Sequence, residues 1–301
     1  MNKLPAPEQQ YPDWSRFIAA VWNHGRSVRH MNPELAEKGV NRAAESIKDS
    51  VCERNEANSL RPSAFLSCAR QSYYFLDGQD AGKMPDEIGS TFAVGHLLHE
   101  LSYAAVKSGI PKGFKVLSEV AVSLPDWWPK HLNNASSNGH IDMVISIEDT
   151  DEAKKYLPES VTDRQPKMLV DFKTMGGYTY RKHSKAVFDY DPDGFGYISQ
   201  LSTYAAAIGV EDYGAIIAGI NRDRLQAPLN CRLVDSTILK WNIERLKKNL
   251  KGAEMGIDPG EEFLLRHGAE AHFFCGRSGK PGYCPFKEVC RDNPSGALKN
   301  V

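Results

Sequence analysis

Hydrophobic and polar positions along the 301-residue chain change their period several times. Residues 14–23 and 33–51 repeat apolar positions every three to four residues, the pattern of helices with one buried face. Residues 61–68 read as a further helix start, with Ser63 as its cap. Residues 90–108 form a stronger amphipathic helix, with Phe92, Leu97, Leu98, Leu101 and Val106 as its apolar positions. Then the period falls to two. Residues 116–124, 139–147 and 167–173 alternate as strands. A helix over 197–208, strands over 213–220 and 229–234, and a long charged helix over 236–254 complete the order. Helix, three strands, helix, two strands, helix predicts an α/β fold with a central mixed sheet flanked by helices. No internal repeat or low-complexity tract interrupts it.

Composition narrows the setting. With 41% apolar and 25% charged residues the chain can bury a substantial core. No apolar run approaches the roughly 20 residues that span a bilayer. The polar, proline-containing start, residues 1–10, has no secretory h-region, so a cytoplasmic protein with no membrane partner is expected. A net charge of −1 argues against a protein that coats duplex DNA through a global basic field. It leaves room for an enzyme that grips a few phosphates locally.

Chemistry concentrates on the strands. The run 169–174 is an apolar strand carrying Asp171 and Lys173, two apart and so on one face. A buried acid and lysine are costly unless paired or bound to a metal. The strand 139–147 offers Asp142, and the helix before it offers His99 and Glu100 beside His96. Mg²⁺ takes oxygen ligands, which Asp142, Asp171 and the backbone carbonyl of Phe172 supply. His99 adds a nitrogen that biases the choice towards Mn²⁺. Lys173 would orient or deprotonate an attacking water and steady developing charge. Glu119 reads equally as an accessory site carboxylate or a structural hydrogen-bond partner. Gln200 and Tyr204, four apart on one helix face, would hold phosphate and the lysine in place.

Together, Gly95-x3-His99, Gly139-x-Ile141-Asp142, Asp171-Phe172-Lys173-Thr174 and Gln200-x3-Tyr204 resemble the RecB-like branch of the PD-(D/E)xK nuclease superfamily. The order of the intervening elements matches as well, and the resemblance covers roughly residues 61–291. It implies a restriction-endonuclease-like core with catalytic Asp142, Asp171, Lys173, Gln200 and Tyr204. It also implies a Mg²⁺- or Mn²⁺-dependent DNA exonuclease acting on single-stranded ends, in recombination, repair, phage replication or CRISPR adaptation. No helicase motif is present, so an unwinding, recombination or CRISPR protein would be a separate partner.

The chain has six cysteines, and in a cytosolic protein metal ligation explains them better than disulfides. Cys68 precedes the first motif, while Cys275, Cys284 and Cys290 follow the last strand. This set resembles the iron–sulfur RecB-like exonucleases, including the CRISPR-associated subgroup and AddB-type nuclease domains, and implies four thiolates on a 4Fe–4S cluster. The family places its second and third cysteines close together, whereas the segment 276–283 separates Cys275 from Cys284 here. His272 as a ligand, or Zn²⁺ in place of the cluster, therefore stays open. Cys52 and Cys231 fit no spacing and read as ordinary thiols.

The expected organisation is a helical N-terminal extension over 1–60, a nuclease domain over 61–291 whose ends the cluster closes, and a tail over 292–301. The segment 176–185 reads as a mobile glycine-containing loop whose Tyr178, Tyr180, Arg181, Lys182 and Lys185 either grip single-stranded DNA or form a solvated basic surface. Trp127 and Trp128 read as packing residues. The competing function is a non-catalytic iron–sulfur or zinc nucleic-acid-binding subunit of a larger complex.

Overall fold

A five-stranded sheet in the order β1-β2-β3-β4-β5 organises the chain, with helices on both faces. The computed structural model describes residues 10–27, 29–48, 60, 62, 68–79, 88–130, 137–184, 196–257, 286 and 289–290. Among the described residues, the helices α1 (Trp14–Gly25), α2 (Pro33–Ile47), α3 (Ala69–Leu76) and α4 (Ile88–Gly109) come first. The ribbon β1 (Phe114–Ser123) and β2 (Asn138–Ile147) follows. Two single turns, α5 (Thr150–Ala153) and α6 (Glu159–Thr162), lead into β3 (Lys167–Met175). Next come α7 (Gly177–Ser184), α8 (Tyr197–Ile208), β4 (Ala215–Asn221), β5 (Asn230–Val234) and α9 (Ser236–Glu254).

Local chemistry explains several helix starts. Asp13, Asn32 and Asp235 each accept a backbone N–H of the first turn, so α1, α2 and α9 begin on capping side chains. β3 and β4 are parallel and therefore need the long crossover that α7 and α8 provide. The other neighbouring pairs are antiparallel. This is the mixed sheet flanked by helices that the periodicity predicts.

Two apolar cores lie on opposite sides of the sheet. One joins Leu169, Ile217 and Ala215 to Leu201 and Tyr204 of α8, Leu239, Leu246 and Leu250 of α9, and Tyr74 of α3. Trp128 is buried here and Trp127 packs against the cluster, as the sequence suggests. The other joins Val170, Phe172 and Ile216 to Ala105 and Val106 of α4 and Trp14, Phe17, Ile18, Val21 and Trp22 of α1. α1 thus shares a core with the sheet, and α1 and α4 approach until a methyl on Gly25 would meet Ala105 O at 1.8 Å.

The β1-β2 ribbon passes from one core to the other. Phe114, Val116, Met143 and Ile145 face the α1–α4 core, whereas Val120, Val122 and Ile141 pack on the α8–α9 side. Positions of equal parity normally share a face, so the ribbon switches between them. Ser118 still pairs with Met143 and Val120 with Ile141, which sets Glu119 across from Asp142 at the crossing point. Glu119 takes a positive φ of 46° there, a conformation side chains other than glycine seldom adopt. Among the described residues no helix is long and apolar enough to cross a membrane.

Candidate active site

The β2-β3 ladder stops at the Met143–Val170 pair, and just beyond it the strands part around two acids. The Asp142 carboxylate replaces the missing strand partner: its Oδ2 accepts the Phe172 N–H at 2.7 Å. Asp171 is 1% exposed. Its Oδ1 accepts from Lys173 Nζ at 3.0 Å. Its Oδ2 lies 2.8 Å from the same nitrogen but off the direction of a hydrogen bond, and it has no directed donor. Gln200 of α8 completes the lysine's setting, its Oε1 accepting from Nζ at 2.8 Å.

From α4, His99 Nδ1 reaches to 3.4 Å of Asp142 Oδ2, and its ring lies against Phe172 with centroids 6.1 Å apart. Tyr204 is buried one turn beyond Gln200, with its ring against Gly139. The structure therefore gathers His99, Asp142, Asp171, Lys173, Gln200 and Tyr204 where the β2-β3 ribbon opens between α4 and α8.

Electrostatics follow from burial beneath competing charges. Desolvation pushes the Asp171 carboxyl up to about 6, with Lys173 opposing and Asp142 adding to the shift. Asp142 is raised for the same first reason, against the pull of Lys173 and the Phe172 N–H. Desolvation, reinforced by Lys173, drops His99 to about 4, which leaves a neutral imidazole with an available lone pair at neutral pH. Desolvation works against the Lys173 ammonium too, but Asp171 and Asp142 outweigh it and hold its pKa above the usual range. Tyr204 is pushed up to about 12, chiefly by burial and then by Asp171, and stays a phenol. Glu119 retains solvent contact but is pushed up to about 7 by partial desolvation and by Asp142 and Glu100.

Whether these residues suit a divalent cation depends on their donor set. Two buried carboxylates with raised pKa, one bearing an oxygen without a directed donor, and a neutral imidazole form an environment short of positive charge, and O and N donors suit Mg²⁺ or Mn²⁺. Among the described residues, however, no group of three or more His, Cys, Asp or Glu side chains is gathered as a metal cage. Asp142 is turned to the Phe172 amide and Asp171 to Lys173, so an ion would compete with those partners for their oxygens.

Several contributors carry no motif. Arg42 of α2 donates to Glu100 Oε2 through Nε at 3.0 Å and Nη2 at 2.6 Å, and Ser46 Oγ sits 3.0 Å from His96 Nδ1. α2 is thus bound to the very turn of α4 that carries His99. These partners are more than 45 residues apart in sequence, so no local spacing signals them. Tyr197 lies with its ring centroid 5.2 Å from Lys173 Nζ. Its position three before Gln200 is a spacing that could have found it.

The segment read as a mobile loop is a correction. It forms α7, whose first N–H, at Gly177, is accepted by Asp223 Oδ2 at 2.6 Å. Tyr180 turns inward, buried, and donates its hydroxyl to Pro228 O; it offers no ring to a nucleic acid. His183 is also buried, 3.0 Å from Asn230 O. Tyr178 is 65% exposed with Lys182 Nζ 5.0 Å from its ring centroid, and Arg181 is exposed. Lys185 lies outside the described residues.

So do Cys275, Cys284 and His272. Cys68 stands at the N-cap position of α3. Cys290 is buried in the same core as Tyr74 of α3, and Arg70 of α3 donates through Nη1 to its Sγ at 3.4 Å. Cys68 and Cys290, far apart in sequence, are therefore both found at α3. Cys231 is half-buried against the α1–α4 core, and desolvation raises its pKa, in keeping with an unreactive thiol.

No protein-family model matches the chain, and no curated protein matches it. Among solved structures it is similar to SSO0001, with 13% identity over 84% of this chain and 95% of that one and a TM-score of 0.40. Sequences so far apart and backbones that superpose so loosely leave function to be argued from the site.

Proposed function

We propose that the protein is a metal-dependent DNA exonuclease of the RecB-like PD-(D/E)xK type, acting on single-stranded ends. One observation carries the reading: Asp142, Asp171, Lys173 and His99 converge where β2 and β3 separate, with a buried Asp171 oxygen lacking a directed donor. Asp142, Asp171, His99 and the Phe172 carbonyl would hold Mg²⁺ or Mn²⁺, which supplies Lewis acidity to the phosphate and acidifies a bound water.

The protein's own groups do the rest. Lys173, an ammonium in this setting, orients water and donates to oxygen that gains negative charge during phosphodiester cleavage. Gln200 holds the ammonium at its working position, and Tyr204, a neutral phenol, packs the floor of the site without competing for protons. Tyr178, Arg181 and Lys182 on α7 offer an exposed ring and two cations to a single strand. Cys290 and Cys68 both lie at α3, where Arg70 donates to the Cys290 sulfur, and this supports Cys68, Cys275, Cys284 and Cys290 as ligands of a 4Fe–4S cluster that ties the two cysteine-bearing segments together.

A binding subunit without catalysis is the second reading, favoured by the carboxylates being turned to protein partners rather than gathered as a cage. End-labelled single- and double-stranded DNA incubated with anaerobically purified protein across Mg²⁺ and Mn²⁺ separates the two. Shortening of the single strand supports the exonuclease; binding with no cleavage under any metal supports the subunit. A visible spectrum on the same sample reports the cluster, since zinc is colourless.

A further inference from the structure

Lys173 is held by α8 as much as by its own strand. Besides the Asp171 contact, its ammonium takes Gln200 Oε1 at 2.8 Å and faces the Tyr197 ring. Those two residues are three apart and share one face of the helix. The rotation and height of α8 therefore decide where the lysine head sits.

A neighbouring face of α8 carries three buried hydroxyls. Ser202 Oγ donates to Ile198 O at 2.7 Å and Thr203 Oγ1 to Ser199 O at 2.9 Å. α9 supplies donors to the serine oxygens. Asn242 Nδ2 donates to Ser202 Oγ at 3.1 Å and to Ser199 Oγ at 3.4 Å. Arg245 Nη2 donates to Ser199 Oγ at 2.7 Å, and its Nε to Asn242 Oδ1 at 2.8 Å.

Asn242 is 0% exposed, in line with Leu239, Ile243, Leu246 and Leu250, and it alone is polar on the buried face of α9. Leucine there would continue the apolar stripe, and helix packing requires no amide. A buried amide is costly unless its bonds are made; here the oxygen is satisfied within α9 by Arg245, and both N–H bonds go to α8 in a single register. Greasy contacts tolerate sliding; directed bonds do not.

We propose that the Ser199–Ser202–Asn242–Arg245 network is a positioning device that sets α8 so that Gln200 meets Lys173, with Asn242 its central positioning residue. Its catalytic consequence rests on the nuclease reading above, whereas its geometric consequence does not.

The test uses Asn242→Leu, Asn242→Asp and Gln200→Ala in the full chain, with two readouts. One needs no cleavage: acetylation of Lys173 by acetic anhydride, mapped by mass spectrometry in metal-free protein, with exposed Lys248 as internal standard. The other is kcat and KM on single-stranded DNA. Asn242→Leu should melt cooperatively, speed Lys173 acetylation several-fold, and lower kcat about tenfold with KM within about twofold, the signature of a misplaced reacting group. Asn242→Asp keeps the acceptor for Arg245 but loses both amide donors to α8, so it should move both readouts in the same direction as Asn242→Leu. Added to Gln200→Ala, Asn242→Leu should change neither readout further.

If Asn242→Leu does not fold, Ser202→Ala removes one link and is held to the same outcomes. Unchanged Lys173 reactivity, or effects fully additive with Gln200→Ala, overturns the proposal. A wild-type protein that cuts no DNA sinks the nuclease reading, and the acetylation arm then decides this one alone.

Discussion

Gly139 lies against the ring of Tyr204: a methyl built on Gly139 would come within 2.6 Å of Tyr204 Cε1. The two residues belong to different motifs, one at the start of β2 and one on α8, and their contact locks the ribbon to the helix beside the site. Gly139→Ala must displace a buried ring. It should destabilise by about 1–3 kcal/mol, as overpacking does. Tyr204→Ala opens a cavity of its own, so the double Tyr204→Ala/Gly139→Ala should cost less than the sum of the two singles. Urea midpoints of the singles and the double check both statements.

Lys173 and Asp171 form a buried pair, so the two single changes should behave differently from the double. Lys173→Met leaves the Asp171 carboxylate unpaired and should cost about 3–5 kcal/mol near neutral pH. Asp171→Asn/Lys173→Met removes both charges and should be much less harmful. Equal losses in the single and the double, read from chemical denaturation, would refute a buried ion pair.

Ion-free stability should depend on pH through Asp171, and the sign follows from its raised folded pKa. That pKa is about 6 against 3.8 for the free group, so the carboxyl's contribution is present below the lower value and is lost as pH rises through 6. Wild type should therefore lose stability relative to Asp171→Asn as pH rises from about 4 to about 6.5, with the difference between them constant above that. His99, lowered to about 4, works in the opposite sense: its contribution is full above 6.5 and is lost as pH falls towards 4. Mn²⁺ should accordingly raise the melting temperature of wild type more at pH 8 than at pH 5, and should leave Asp171→Asn little changed. Melts at the two pH values, with and without Mn²⁺, give the comparison.

Two tyrosines of α7 should part company in DNA binding. Tyr178→Ala removes an exposed stacking ring and should weaken single-strand affinity by about 1–3 kcal/mol. Tyr180→Phe removes the hydroxyl bond to Pro228 O and should lower stability while leaving affinity unchanged. Fluorescence anisotropy with a labelled oligonucleotide in EDTA distinguishes them.

What the sequence revealed and concealed has physical causes. The parity of Asp171 and Lys173 on a strand, and of Gln200 and Tyr204 on a helix, survives folding because each is local, and all four meet. Glu119 is different. Val116, Val120 and Val122 keep one parity on both sides of it, interrupted only at Ser118, so the pattern does not show that the ribbon changes faces there or that Glu119 stands opposite Asp142. α7 hid behind two glycines and a polar composition, because its start is fixed by Asp223, remote in sequence. Arg42, Ser46 and Asn242 likewise act through partners in other helices, and a residue's own neighbourhood carries no trace of such a partner.

The most direct test of the central claim is cleavage by purified Asp171→Ala protein beside wild type, on end-labelled single-stranded DNA with Mg²⁺ or Mn²⁺. Wild type should shorten the strand, while the variant should be inactive and retain its circular dichroism spectrum and visible absorption. A folded Asp171→Ala protein that degrades DNA at the wild-type rate would contradict the account.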